Sequence, residues 1–215
     1  MSTLPADFVY QTTNPSTNAL TGTANTPVDI PGNNSSQSFV IAFTPTAAIP
    51  PMDTAFNFGC TNTSPAPIQT GLNTLLFSAS PTPVPDVIAL AATLQNDGIV
   101  HASGAQNSGV FAVATYNLGS SDTITVAANT GSATLPLTIS ICQTDPSTGV
   151  CMQTSSATVT TAIGSNATPT FGFFVNASSA VAFDPANNRI FVTFTDRTGA
   201  VRGKTSVAVA MQPPS

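Results

Sequence analysis

Apolar and polar positions alternate along this chain in short bursts. In "DTITVAA" (122–128), "TFGFFVN" (170–176) and "RIFVTFTD" (189–196) an apolar residue falls at every second position. Period two marks a strand with one face in a core. The pattern recurs in "ATLPLTISIC", "VCMQT", "ATVTTAI", "AVAFD" and "AVRGKTSVAVA" of the C-terminal half. In the N-terminal half it recurs in "TPVDI", "SQSFVIAFTP", "TAFNFGC", "NTLLFSA", "DVIALAAT", "GIVHA" and "GVFAVATYN". Gly, Pro, Asn and Asp interrupt these runs every ~8–12 residues, the spacing of an antiparallel sandwich. No segment sustains a helical period, so the chain is expected to be all-β.

The two halves echo one another. "CMQTSSATV" (151–159) follows "CTNTSPAPI" (60–68), and "IFVTFTDRTGAVRG" (190–203) follows "IALAATLQNDGIVHA" (88–102). "IGSN" (163–166) answers "TGLN" (70–73), and "VAVA" (207–210) answers "FAVA" (111–114). The order of the four matches is conserved, which predicts two tandem sandwiches, 25–117 and 118–215, jointed at "NLGSSD" (117–122). Residues 1–24 match nothing in the second half. They are expected to be an extension or linker, or an arm whose "DFVY" adds a strand to another subunit.

"CQTDPSTGVC" (142–151) reads as a hairpin, with Asp145-Pro146 opening the turn and Gly149 closing it. Folded about Pro146-Ser147, it sets Cys142 opposite Cys151, within disulfide reach. A structural zinc needs four ligands, and only Cys60 and His101 remain elsewhere. A redox pair would be a C-x-x-C at a helix start. A disulfide in an oxidising compartment is the expectation, with two free thiols the alternative.

"FDPANNRIFVTFTDRTGAVRGKTSVAV" and "CQTDPSTGVC" resemble the immunoglobulin-like modules found toward the C-terminal ends of large secreted or surface proteins of bacteria. The resemblance covers nearly all of residues 25–212. It implies tandem antiparallel immunoglobulin-like sandwiches outside the cell and transfers no catalytic residue.

Composition sharpens this. Hydrophobic residues make up 41% of the 215 and charged residues only 6%, with net charge −5 and no Glu or Trp. Four basic residues argue against a nucleic-acid partner, which needs clustered Lys and Arg. No apolar run reaches the roughly 20 residues of a membrane helix. "MSTLPADFVYQ" lacks the basic start and apolar stretch of a signal peptide, leaving a trimmed leader or another export route.

All four basic residues, Arg189, Arg197, Arg202 and Lys204, fall between positions 189 and 204. They are expected to gather at one end of the second module, either as a patch that docks a glycan or subunit or as charges that keep an edge strand from pairing. Asp184, Asn187 and Asn188 in "FDPANNR" offer oxygen ligands for calcium; the plainer reading is an Asx turn. His101 lacks a G-x-S-x-G partner and reads as an outward strand residue. Cys60 reads as a small buried strand residue. Five N-x-[ST] sequons, at Asn33, Asn34, Asn62, Asn166 and Asn176, suit an Asn- and Thr-rich chain without further meaning.

The function expected is therefore a non-enzymatic structural module of an extracellular bacterial protein: a spacer, stalk or surface-fibre element, with no cofactor. Its partners would be neighbouring repeats or further copies of itself. The alternatives are a filament subunit that uses the N-terminal arm for strand addition, and an adhesin module that binds a glycan or host surface.

Overall fold

The computed structural model of the chain describes residues 4–32, 35–102 and 107–211, and among these it contains thirteen strands and no helix. Two compact units emerge, residues 1–50 with 78–81 and residues 51–77 with 82–215.

In the first unit β1 (Ala6–Thr13) pairs antiparallel with β2 (Ser38–Pro45), from Ala6 opposite Pro45 to Thr13 opposite Ser38. The "DFVY" stretch is thus already paired within its own chain and is no free arm. Phe8, Tyr10, Thr12, Phe39, Ile41 and Phe43 share one face of this ribbon, and their rings lie in contact. β3 (Ile49–Ala55) and β4 (Thr74–Ala79) form a second two-stranded sheet. β3 begins earlier than "TAFNFGC" suggested, and "TPVDI" forms no strand.

The remaining strands are β5 (Val87–Thr93), β6 (Ile99–His101), β7 (Ser108–Asn117), β8 (Asp122–Asn129), β9 (Leu137–Thr144), β10 (Thr158–Ile163), β11 (Thr170–Ala177), β12 (Arg189–Asp196) and β13 (Val201–Ala210). They make one sheet ordered β5-β7-β11-β9 and another ordered β10-β8-β12-β13-β6. The first order is A-B-E-D of an immunoglobulin sandwich, and β8-β12-β13 stand as C-F-G. The first strand changes sheet midway. β5 pairs with β7; the chain then turns through Asn96 and Gly98, both at positive φ, and β6 runs parallel to β13.

This topology corrects the expected division at 117/118. Of the strands assigned to a first module, β7 pairs with β11 and β6 with β13 of the second, and β5 joins the same sheet through β7. The stretch expected to be a joint is a welded corner. Asn117 is fully buried; its amide Nδ2 donates to Ser120 O (2.9 Å) and Gly164 O (3.1 Å). Its Oδ1 accepts from Asp86 N and Gly119 N, each at 3.0 Å. Gly119 lies so close to the 84–86 backbone that a Cβ would fall 2.1 Å from Val84 O, so no larger residue fits. The echoes between the halves reflect strand-and-turn grammar in a biased composition, and β5 to β7 complete the sandwich of β8 to β13.

Alternation holds wherever a strand faces this core. In β7 and β12 every second residue is buried. Phe111 stacks on Phe173 with centroids 4.5 Å apart, and Phe171 meets Phe194 edge-on at 5.7 Å. Around them pack Ile124, Val126, Ile141, Ile163, Val175, Ile190, Val192 and Val207. This apolar interior is the dominant stabilising term of the unit.

Candidate functional site

The outer face of the five-stranded sheet carries the chain's most elaborate surface. Residues 189, 191 and 193 of β12 and 204 and 206 of β13 point outward, away from Ile190, Val192 and Val207 in the core. Segment 68–74 lies across them. Ser206 Oγ donates to Thr70 O (3.2 Å), and Gly71, at φ 81°, sits so close to Ser206 that a Cβ would clash. A groove of about 630 Å3 remains between this segment, the turn 129–133 and the turn 186–187. Phe191 forms part of its floor, and Lys204, Gln69, Asn129, Asn187, Thr130 and Thr193 present polar groups into it. Gly131, at φ 64°, is held against the Phe191 ring.

The four basic residues meet here only in part, and each has an internal partner. Lys204 Nζ lies 2.6 Å from Asp53 Oδ2 and 5.9 Å from the centre of the Phe191 ring. Arg189 is buried beneath the groove. Its Nε and Nη2 donate to Ser206 Oγ (3.2 and 2.9 Å) and its Nη1 to Pro185 O (2.9 Å), and burial holds its pKa down. Arg202 donates to Asp196 (2.6 Å), and Arg197 reaches Asp122 (2.7 Å). The expected cationic docking patch is therefore corrected: the sheet's alternation and the carboxylates around it draw these side chains into separate structural pairs.

The disulfide joins Cys142 to Cys151, with Cα atoms 5.6 Å apart. Its hairpin register differs from the expected one. The turn is four residues long: Gly149 N donates to Asp145 O (2.8 Å) and Asp145 N to Val150 O (2.9 Å). Thr144, not Cys142, stands opposite Cys151. The reason is the Asp145 carboxylate, which accepts from Ser147 N and Thr148 N and winds the turn wider; those two bonds hold its pKa down. "VCMQT" consequently runs beside β9 through isolated bridges instead of forming a strand.

Asp184, Asn187 and Asn188 form a turn. Asp184 accepts from Asn187 Nδ2 (2.8 Å) and Asn187 N (3.3 Å), while Asn188 Nδ2 turns away to Ala182 O (2.9 Å). The three side chains do not converge on one point. Among the described residues no group of three or more His, Cys, Asp or Glu could hold a metal ion.

His101 on β6 is half-buried and its Nε2 lies 2.7 Å from Asp97 Oδ2. Asp97 also accepts from Ile99 N and Thr93 Oγ1, and the His101 contact, followed by the Ile99 bond, lowers its pKa. The pair was hidden in the sequence because the turn of residues 94–98 folds the two together. Asp53 and Lys204 lie 151 positions apart and left no sequence signal. Cys60 is exposed with a free thiol, which corrects its expected burial: β3 ends at Ala55, before it.

No family model matches this chain, and no curated protein sequence matches it. Among solved structures it is similar to BcpA, the major pilin subunit of Bacillus cereus, at 11% identity and a TM-score of 0.33. The match covers 95% of this chain and 64% of the pilin subunit, so the chain spans under two thirds of that protein's length. No described helix is long and apolar enough to cross a membrane.

Proposed function

We propose that this chain is a structural module of an extracellular bacterial protein, a spacer, stalk or surface-fibre element that transmits tension. One observation carries the reading. The first and last strands of the sandwich lie side by side and parallel, with Ile99 opposite Ala208, Val100 opposite Val209 and His101 opposite Ala210. Tension applied through the two ends of the sandwich pulls parallel strands in opposite directions. Their bonds must then break together in shear instead of one after another. The disulfide, which suits an oxidising compartment, locks the loop of residues 143–150 against extension.

Single-molecule stretching tests it. Pulled from its ends, the sandwich should rupture at higher force than when pulled through cysteines placed on β10 and β12. Ala208→Pro, which removes the β13 backbone donor to Gly98 O (2.9 Å), should lower the end-to-end force. Equal forces along both directions would sink the proposal.

The groove over Phe191 supports a second reading, an adhesin module for glycans. Amides, hydroxyls and a lysine beside an aromatic ring suit a sugar's hydroxyls and apolar face. A glycan array distinguishes it: binding that Gln69→Ala and Asn129→Ala both weaken would favour this reading, and no binding would remove it.

A further inference from the structure

The β1–β2 ribbon has two unlike edges. On the β1 side, Tyr10 N donates to Asn25 Oδ1 (3.0 Å) and Tyr10 O accepts from Asn25 N (2.8 Å). Thr12 O accepts from Thr21 N (2.8 Å), and Gln11 Nε2 donates to Gly22 O (3.0 Å). Segment 19–25 therefore caps that edge. These bonds also fix the phase of the ladder, because the backbone groups of Tyr10 and Thr12 point away from β2. In an antiparallel pair, opposite residues either both face one another or both face away. Their partners, Ile41 and Phe39, therefore aim their N–H and C=O groups at the far side of β2.

Among the described residues β2 has no second neighbour in its sheet. Its central run, Phe39-Val40-Ile41-Ala42-Phe43, is wholly apolar, with Val40 41% and Ile41 39% exposed. It carries no lysine, bulge or internal proline, the devices that keep an edge strand from pairing.

We infer that two copies of this chain pair through β2, antiparallel, about a two-fold axis at Val40. Phe39 of each copy exchanges backbone hydrogen bonds with Ile41 of the other, giving four bonds between chains. Two marginal two-stranded ribbons become one four-stranded sheet. The capped β1 edge stops further addition, so the contact closes at two copies and builds no filament. The pairing is independent of whether the sandwich bears tension or binds glycan.

Sedimentation of the whole chain from about 10 μM to about 1 mM, a span suited to a small interface, tests this. A monomer–dimer equilibrium is expected. Val40→Lys places two like charges across the axis and should weaken association at least about tenfold. Ile41→Pro should do the same by removing an outward donor the ribbon itself does not use. In a Cys60→Ser background, Val40→Cys should oxidise to a covalent dimer, since residues facing each other at the axis lie within disulfide reach. A monomer at every concentration, a dimer indifferent to both substitutions, or failure of Val40→Cys to cross-link would each overturn the inference.

Discussion

Arg202 Nε meets Asp196 Oδ2 at 2.6 Å across the mouth of the β12–β13 hairpin, where the Asp196 side chain is 2% exposed. Burial alone would raise the Asp196 pKa. Bonds from Thr198 Oγ1, Arg202 Nε and the backbone N–H groups of Ala200 and Thr198 outweigh it and lower the value to about 2. A carboxylate depressed on folding contributes stability at pH above its unfolded value near 4 and loses it as pH falls toward 2. The urea midpoint should therefore drop between pH 4 and pH 2, with Asp196 contributing on the order of 1–2 kcal/mol after allowance for solvent at the loop. Asp196→Asn should lower stability at pH 7 and flatten that acid limb. An unchanged acid limb in the variant would refute the assignment.

Asn117→Ala should cost about 2–4 kcal/mol, because it strands Asp86 N, Gly119 N and two carbonyls in a buried corner. Gly119→Ala should be of similar severity through its clash with Val84 O. Chemical denaturation of both variants reads this. Were 117–122 a loose joint, both would be nearly neutral.

This corner also shows what was legible in the sequence. Strand content and the sandwich class follow from local alternation and turn signals, which sequence displays directly; the Cys142–Cys151 disulfide forms although the expected register is wrong, because Thr144 stands opposite Cys151. The domain boundary depends on which strands become neighbours, and that is decided by buried residues such as Val87, Val113 and Phe173 finding one shared core. "NLGSSD" looks like a linker because Asn, Gly and Ser favour turns. Nothing local reveals that the Asn amide is buried in a network between Asp86 and Gly164. The basic cluster misled for the same reason: Arg197 and Lys204 find carboxylates far along the chain, at Asp122 and Asp53, while Arg202 pairs with nearby Asp196 and Arg189 is buried against a hydroxyl and a carbonyl.

Untreated protein should contain one thiol reactive toward a soluble disulfide reagent, Cys60, and three after unfolding in reductant. Reduction should lower stability by roughly 2–3 kcal/mol, the modest effect of a short closed loop. Three thiols before reduction would contradict the pairing and the oxidising compartment together.

Arg189 supplies the sharpest contrast. The residue is 3% exposed, yet the partners of its guanidinium are a hydroxyl and a carbonyl. A buried cation held by neutral groups repays its desolvation poorly, so an apolar residue of similar volume can replace it at little cost. Arg189→Met should leave stability within about 1 kcal/mol of the parent or raise it. Ser206→Ala should be worse, at about 1–3 kcal/mol, because it leaves two guanidinium donors unpaired and frees Thr70 O at the groove wall. Paired with Arg189→Met, Ser206→Ala should recover most of that loss, since no orphaned charge remains. Thermal unfolding of the two single variants and the double variant completes the cycle. Additive losses would mean that Ser206 acts through Thr70 alone, and that Arg189 matters only as bulk.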